Sequence, residues 1–442
     1  MMPDFIAQYR ARTEGSRKLY ERAAKVMPGG ICHNLRYFPP YPFYVGRAEG
    51  GRIWDVDGNE YVDLWEGHYA NILGHKPAVV MQALREHLDE GTHWGIPHPY
   101  EVELAELLCE IVPCAESVRF TVSGTESTMY AVRLARAFTG RRVVVKVTGG
   151  WHGANTELGS AVHAPYAAAE SAGLLPGGEA NTASISFNDV DQSVRTIREV
   201  GKDLAALIIE PVGQLFIPPV PGYLEAVYAE AKRAGGLVIF DEVITGFRLG
   251  LQGGQGRYGL TPDLATMGKV VGGSTNVALV CGRRDILDLA SPASGRPKQE
   301  MVSMGGGTYS CMPQSMVAGL AMVRHLRANA ADIYPRLEDM GDRLRQRLDE
   351  TFRDVGLPAA VLGIGSLYTV AFPPTFDTPI RNIEDVETKT DLARRQEFRM
   401  GMMVKGVYTM NGGGALCLAH THGDLDAVVA ATREAAQGMR TT

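Results

Sequence analysis

Three stretches of this chain hold residue types that could do chemistry together. In MGKVV, residues 267–271, Lys269 stands in a run that is otherwise apolar or glycine. A lysine is seldom buried without a partner, so its amine calls for one. In LVIFDEVITGFR, residues 237–248, four apolar residues lead straight into Asp241 and Glu242. The carboxyl end of a buried parallel strand is where open α/β sheets bind ligands. In RFTVSGTESTMYAVRLARAFTG, residues 119–140, a strand ends at Thr121, Ser123-Gly124-Thr125 makes a turn, and a helix runs to Phe138 and stops near Gly140. The free N–H groups at that helix start, with the positive end of its dipole, suit an anion. The hydroxyls of Ser123 and Thr125 add donors. Each stretch alone has a plainer explanation: a helix cap, a structural ion pair, a snorkelling surface lysine. No G-x-x-x-x-G-K-[ST] occurs, so the turn is not a nucleotide phosphate loop.

Together, an anion cup, a strand-end carboxylate and a sequestered lysine match the needs of pyridoxal 5'-phosphate. The phosphate needs backbone donors. The pyridine nitrogen needs a carboxylate that keeps it protonated, so that the ring draws electrons. The aldehyde needs a lysine for a Schiff base. Desolvation lowers the pKa of such a lysine and leaves its amine nucleophilic and basic.

The elements that must position these residues follow from the pattern around them. A helical pattern covers residues 5–27 and ends at Pro28-Gly29-Gly30. GRIWDVDGNEYVDL reads as a hairpin of two alternating runs around Asp57-Gly58. From about residue 76, helices such as PAVVMQALREHLDEG alternate with the short runs SVRFT, RRVVVKV, ASISF, LAALIIE, GLVIFDEV and VALVCG. That alternation predicts an α/β domain on a mostly parallel sheet. After about residue 325 comes a long charged helical region, then short strands (GSLYTVAF and GGALCLAH) and a last helix, a smaller α+β domain. The expected division is 1–75 for an N-terminal segment, 76–325 for the large domain and 326–442 for the small one.

The totals narrow the function classes. The 442 residues are 45% hydrophobic and 21% charged, with a net charge of −6. No basic footprint for nucleic acid is present. No run approaches the length of a membrane span, and the N-terminal stretch lacks the apolar core of a signal peptide. Six scattered cysteines without a C-x-x-C pair read as reduced thiols of a cytoplasmic protein. No metal site is expected, and His420 and His422 read as incidental.

WDVDGNEYVDL, ILGH, SGTEST, RLARAFTGR, IIEPV, IFDEVITGFR, PDLATMGKVVGG and GTYS, in this order, resemble the stations of the class III (subgroup II) pyridoxal-phosphate aminotransferases, especially the glutamate-1-semialdehyde aminomutase-like branch. The resemblance covers residues 20–435, roughly. It implies PLP fold type I, a large domain with a mostly parallel seven-stranded sheet plus a smaller α+β C-terminal domain. It implies Lys269 as the Schiff-base lysine and Asp241 as the pyridinium partner. On the same resemblance Val243 would pack on the ring face opposite the substrate, Ser123, Gly124 and Thr125 would form the phosphate cup, and Trp151-His152-Gly153 would be the aromatic-His-Gly loop, with Trp151 where Tyr or Phe is usual. Glu210 lies near the cofactor. Thr308 matches a threonine that in this family reaches the phosphate of the neighbouring subunit, so the resemblance implies a homodimer with interface active sites.

On the substrate side the resemblance implies Arg36, six residues after Gly30, as the grip on a carboxylate, a planar anion that a guanidinium fork suits. Arg248 is the next candidate. His68 stands where the aminomutases have a tryptophan. Residues 405–420 contain no arginine, and Asn411-Gly412-Gly413-Gly414 stands where the aminomutases carry a glutamate. With the cofactor residues intact and the substrate pocket altered, the favoured reading is an aminotransferase. It takes the amino group from a carboxylate-bearing donor, such as a β-amino acid or an unusual α-amino acid, and gives it to a keto acid. The alternatives are glutamate-1-semialdehyde 2,1-aminomutase or a related intramolecular aminomutase, and a cofactor-binding scaffold without turnover.

Overall fold

The computed structural model describes residues 4–166, 171–175, 177–305 and 307–440. The chain gathers into two units that are discontinuous in sequence. One comprises Met1–Pro77, Arg336–Thr378 and Lys389–Thr442; the other comprises Ala78–Pro335 and Pro379–Thr388. We call them the terminal unit and the central unit.

In the central unit, seven strands among the described residues form one sheet. Its order is Ser117–Thr121, Ala278–Gly282, Leu264–Met267, Leu237–Glu242, Leu204–Ile209, Val143–Val147, Thr182–Ile185. Only Ala278–Gly282 runs antiparallel, to both of its neighbours. The strands Leu204–Ile209 and Leu237–Glu242 are buried along their whole length, as a sheet covered on both faces requires. This explains their unbroken apolar runs. The strand Leu264–Met267 was not among the runs read from sequence. It is four residues long and ends two residues before Lys269, so its brevity hid the element that delivers the lysine.

The terminal unit holds the hairpin predicted around Asp57-Gly58: Arg52–Asp55 pairs antiparallel with Glu60–Asp63. Asp55 organises the turn, since its carboxylate accepts from the backbone N–H of Asp57 (3.0 Å) and Asn59 (2.8 Å) and from the Tyr61 hydroxyl (2.9 Å). Val407–Tyr408 joins the same sheet, parallel to Glu60–Asp63. A second sheet has the order Ala360–Ile364, Leu367–Ala371, Gly414–Ala415. The helical pattern over residues 5–27 resolves into two helices, Phe5–Arg12 and Glu14–Ala23. The break is at Thr13, which leaves helical geometry while its hydroxyl bonds the Tyr9 carbonyl at 2.7 Å. Asp57 then receives the N–H groups of Gly15 and, at 2.9 Å, Ser16, which caps the second helix. The core of this unit is aromatic: Phe43 stacks on Tyr61 with centroids 4.7 Å apart, and Tyr408 meets Phe43 edge-on.

All six cysteines are free thiols. No helix among the described residues is long and apolar enough to cross a membrane.

Candidate active site

Asp241 lies one residue from the end of strand Leu237–Glu242 and is 5% exposed. One carboxylate oxygen, Oδ2, is 2.7 Å from His152 Nδ1. The other, Oδ1, accepts from the Thr266 hydroxyl at 3.0 Å and the Val243 N–H at 3.1 Å. A carboxylate offers about four lone-pair sites, so Asp241 retains capacity for one more donor. Burial pushes the His152 pKa below its ordinary value, against the opposing pull of Asp241. A neutral imidazole there donates from Nδ1 to the carboxylate. Its neighbour Glu242 has a different task. It is fully buried and accepts from the Thr245 hydroxyl, the N–H groups of Gly254 and Gln255, and the Gln255 side chain. Of the Asp-Glu pair, one residue serves the site and the other ties down the following loop.

Lys269 has φ +52°, in the left-handed region, where a non-glycine residue costs roughly 1–2 kcal/mol. Desolvation pushes its amine below the ordinary lysine pKa. The negative charges of Asp241 and Glu210 oppose that shift, and Arg248 adds to it. Glu210 moves the other way: burial, reinforced by Asp241, raises its pKa to about 8, while a hydrogen bond from Gln214, the charge of Lys269 and the Trp151 backbone restrain it. The Gln214 amide donates to Glu210 at 2.6 Å. Three titratable groups with strongly displaced pKa values thus share one locality, the pattern that marks reactive sites.

The anion cup is built as a reciprocal cap. Ser123 Oγ accepts from the Glu126 N–H at 3.3 Å, and the Glu126 carboxylate accepts from the Val122 N–H at 2.9 Å. The helix Gly124–Thr139 starts there. Gly124 lets the cup close on Val243: a Cβ on it would sit 3.0 Å from both methyl groups of Val243 and press on them. Gly153, with φ +89°, would place a Cβ 2.4 Å from Thr125 Oγ1. The cup, the 151–153 loop and Val243 therefore converge at contact distance. Thr128 fixes the loop by donating to the His152 carbonyl at 2.5 Å, and Trp151 is exposed.

Ser123, Gly124, Thr125, Trp151, His152, Glu210, Asp241, Val243 and Lys269 are thus brought together in the central unit. Thr308 lies in the same unit, exposed, in a turn. Arg248 is 2% exposed there. Arg36 and His68 belong to the terminal unit, where both line a pocket of about 480 Å³ with Phe38, Trp65, His75 and Tyr408. Residues Glu66–Tyr69 form a left-handed turn, with φ of +45°, +58°, +62° and +69°. It holds the His68 ring against Trp65 (4.3 Å) and His33 (4.9 Å). Thr266, whose hydroxyl donates to Asp241, escaped the sequence reading. It is the register partner of Asp241 on the neighbouring parallel strand, a relationship no local motif reports. His420 is buried and His422 exposed, so the two do not form a matched pair. Glu66, Cys417 and His420 do cluster, with ligand-capable atoms within 4.8 Å of one another.

The family model for the class-III aminotransferases matches residues 36–416. The chain belongs to that family. Among similar proteins of this family, the glutamate-1-semialdehyde 2,1-aminomutase 2 of Brevibacillus brevis is 38% identical over 96% of this chain and 98% of its own. The glutamate-1-semialdehyde 2,1-aminomutase of Methanothermobacter thermautotrophicus is 37% identical over 96% and 99%. Among solved structures, an omega-transaminase from Sphaerobacter thermophilus superposes with a TM-score of 0.89 at 31% identity, covering 96% of this chain and 98% of that one. A β-phenylalanine aminotransferase from Variovorax paradoxus gives 0.86 at 29%, covering 97% and 95%. This class-III aminotransferase is a pyridoxal-phosphate enzyme of fold type I. The residues of this site fit that cofactor: a glycine-lined cup at a helix start, a carboxylate with spare acceptor capacity, and a desolvated amine.

Proposed function

We propose that this class-III aminotransferase transfers an amino group between separate molecules, from a carboxylate-bearing amino donor to a keto acid. The observation that carries the chemistry is the desolvated Lys269 amine in the charge field of an Asp241 carboxylate that His152 and Thr266 hold in place. When bound, pyridoxal phosphate supplies an electron-withdrawing ring that acidifies the carbon bearing the amino group. Asp241 holds the proton on the ring nitrogen. Lys269 takes the proton from the donor carbon, and its lowered pKa suits a base working near neutral pH. Ser123, Gly124 and Thr125 bind the phosphate. Val243 and Trp151 bracket the ring, and Glu210, raised to about 8, adds a proton-bearing group beside it. Arg36 receives the donor carboxylate, and the apolar wall of the terminal-unit pocket receives its side chain.

A β-amino acid, or an α-amino acid of unusual stereochemistry, is the proposed donor class. The altered residues His68 and Asn411–Gly414 support it, as does the likeness to a β-phenylalanine aminotransferase. The enzyme is proposed to work as a homodimer in the cytoplasm, with Thr308 completing the phosphate site of the partner subunit. The second reading, an intramolecular aminomutase, is favoured by the names of the relatives at 37–38% identity.

One experiment separates them. Amino donors are screened with and without 2-oxoglutarate or pyruvate. Product that forms only with the keto acid supports transfer between molecules. Conversion of glutamate-1-semialdehyde without any acceptor would establish the aminomutase instead.

A further inference from the structure

The helix Leu392–Val404 in the terminal unit turns two arginines inward. Arg395 is 8% exposed and Arg399 is 3% exposed. Four positions apart, they share one helix face and repel one another. A buried charge is costly unless it is paired, yet among the described residues neither forms an ion pair. Their partners are neutral oxygens. Arg395 Nε donates to the Asn411 carbonyl at 2.5 Å and Nη2 to the Thr369 hydroxyl at 3.3 Å. Arg399 Nη1 donates to the Asn411 side-chain oxygen at 3.3 Å. The guanidinium of Arg399 also lies 4.6 Å from the centroid of Phe38, which offsets part of its desolvation. Two further Arg399 atoms, Nε and Nη2, are buried and meet no acceptor. A rigid fork of donors held in the interior, with half of it idle, is a site built for a planar anion.

We propose that Arg399 and Arg395 form a carboxylate-binding site whose place is held by Asn411 until a small carboxylic acid displaces it. Asn411 meets both guanidiniums at once, one with its backbone oxygen and one with its side-chain oxygen, as the two oxygens of a carboxylate would. A neutral amide is the weaker acceptor, so an anion of the same span displaces it favourably. The backbone allows the exchange. Asn411 has φ +49° and Gly412 φ +79°, at the tip of a tight turn closed by mutual Met410–Gly413 hydrogen bonds of 2.9 and 3.0 Å. The base of the turn stays fixed, because a Cβ on Gly413 or Gly414 would lie 2.5 or 2.4 Å from the carbonyl of Tyr368 or Leu64. The tip alone moves, and Asn411 is partly exposed, which opens the route from solvent. Arg36 lines a pocket with Phe38, the ring that Arg399 covers, so a short dicarboxylic acid has a second cation within the same unit. The site does not depend on the amino-transfer reading.

The test uses the purified holoenzyme and glutarate, which has two carboxylates and neither an amino nor a keto group, so that no turnover intervenes. The thermal midpoint is followed against glutarate concentration, with sodium chloride at matched ionic strength as the reference. A ligand bound only by the folded chain raises the midpoint saturably. In the parent, glutarate gives a saturable rise beyond salt. In Arg399→Leu the half-saturating concentration increases about tenfold or more, and the glutarate-free variant is at least as stable as the parent, because an idle buried charge is gone. Arg399→Lys keeps the charge without the fork and also weakens binding. Asn411→Ala removes the place-holder and lowers the half-saturating concentration. No saturable rise in the parent overturns the proposal. So does equal binding in Arg399→Leu, or loss of binding in Arg36→Lys with full retention in Arg399→Leu. Keto-acid-dependent amino transfer is assayed separately, so failure of this site and failure of that activity are distinct results.

Discussion

His152 Nδ1 lies 2.7 Å from Asp241 Oδ2, and both side chains are buried. With Thr266 on the other oxygen, the carboxylate is oriented from two sides and cannot rotate away from its one open direction. Asp241→Asn would keep the shape and lose the charge. Losing a charged buried hydrogen bond costs on the order of 2–3 kcal/mol, so turnover should fall roughly a hundredfold. Steady-state kcat on the purified variant checks this. A near-parent rate would reassign Asp241 to a structural role.

Lys269→Ala should abolish turnover while the Ser123–Thr125 cup still retains some cofactor non-covalently. The parent should be yellow, and borohydride should fix the chromophore covalently to the peptide containing Lys269. In the variant no peptide should be labelled. Turnover at the parent rate in Lys269→Ala would remove the central assignment.

The raised pKa of Glu210 makes a pH prediction whose sign follows from linkage. The folded chain holds the Glu210 proton up to about 8, whereas the unfolded chain releases it near the ordinary glutamate value of 4.5. Between those values the folded state binds more protons, so this group's stabilisation is complete below the lower value and lost as pH rises through the upper. Relative to Glu210→Gln, the parent should therefore lose thermal stability progressively from pH 4.5 to 8. Thermal midpoints of both proteins across that range provide the measurement, and a constant difference would contradict it.

Arg36→Lys would keep a charge and lose the planar fork. Carboxylate donors should lose about ten- to a hundredfold in kcat/KM, and the corresponding decarboxylated amines should change little. Equal losses for both donors would place Arg36 in the fold instead. Arg248 would then be the next residue to test by the same comparison of donors.

The sequence by itself singled out the candidate site residues of the central unit, because each part there is local. Ser123-Gly124-Thr125 announces a strand-to-helix turn, LVIFDE announces a buried strand ending in a carboxylate, and Lys269 stands out against glycine and apolar neighbours. Six strands of the main sheet were legible for the same reason, as runs of β-branched residues. Tertiary structure alone decided what depends on register and long-range pairing. Thr266 reaches Asp241 because two parallel strands place them side by side, twenty-five residues apart. Val407–Tyr408 pairs with Glu60–Asp63, which draws the two ends of the chain into one unit. The stretch 405–420 contains no arginine, yet Arg395 and Arg399 reach its Asn411 from the preceding helix. A linear pattern records which residues are neighbours along the chain. Burial without a counter-charge is a property of the space around a side chain, and only the folded arrangement specifies it.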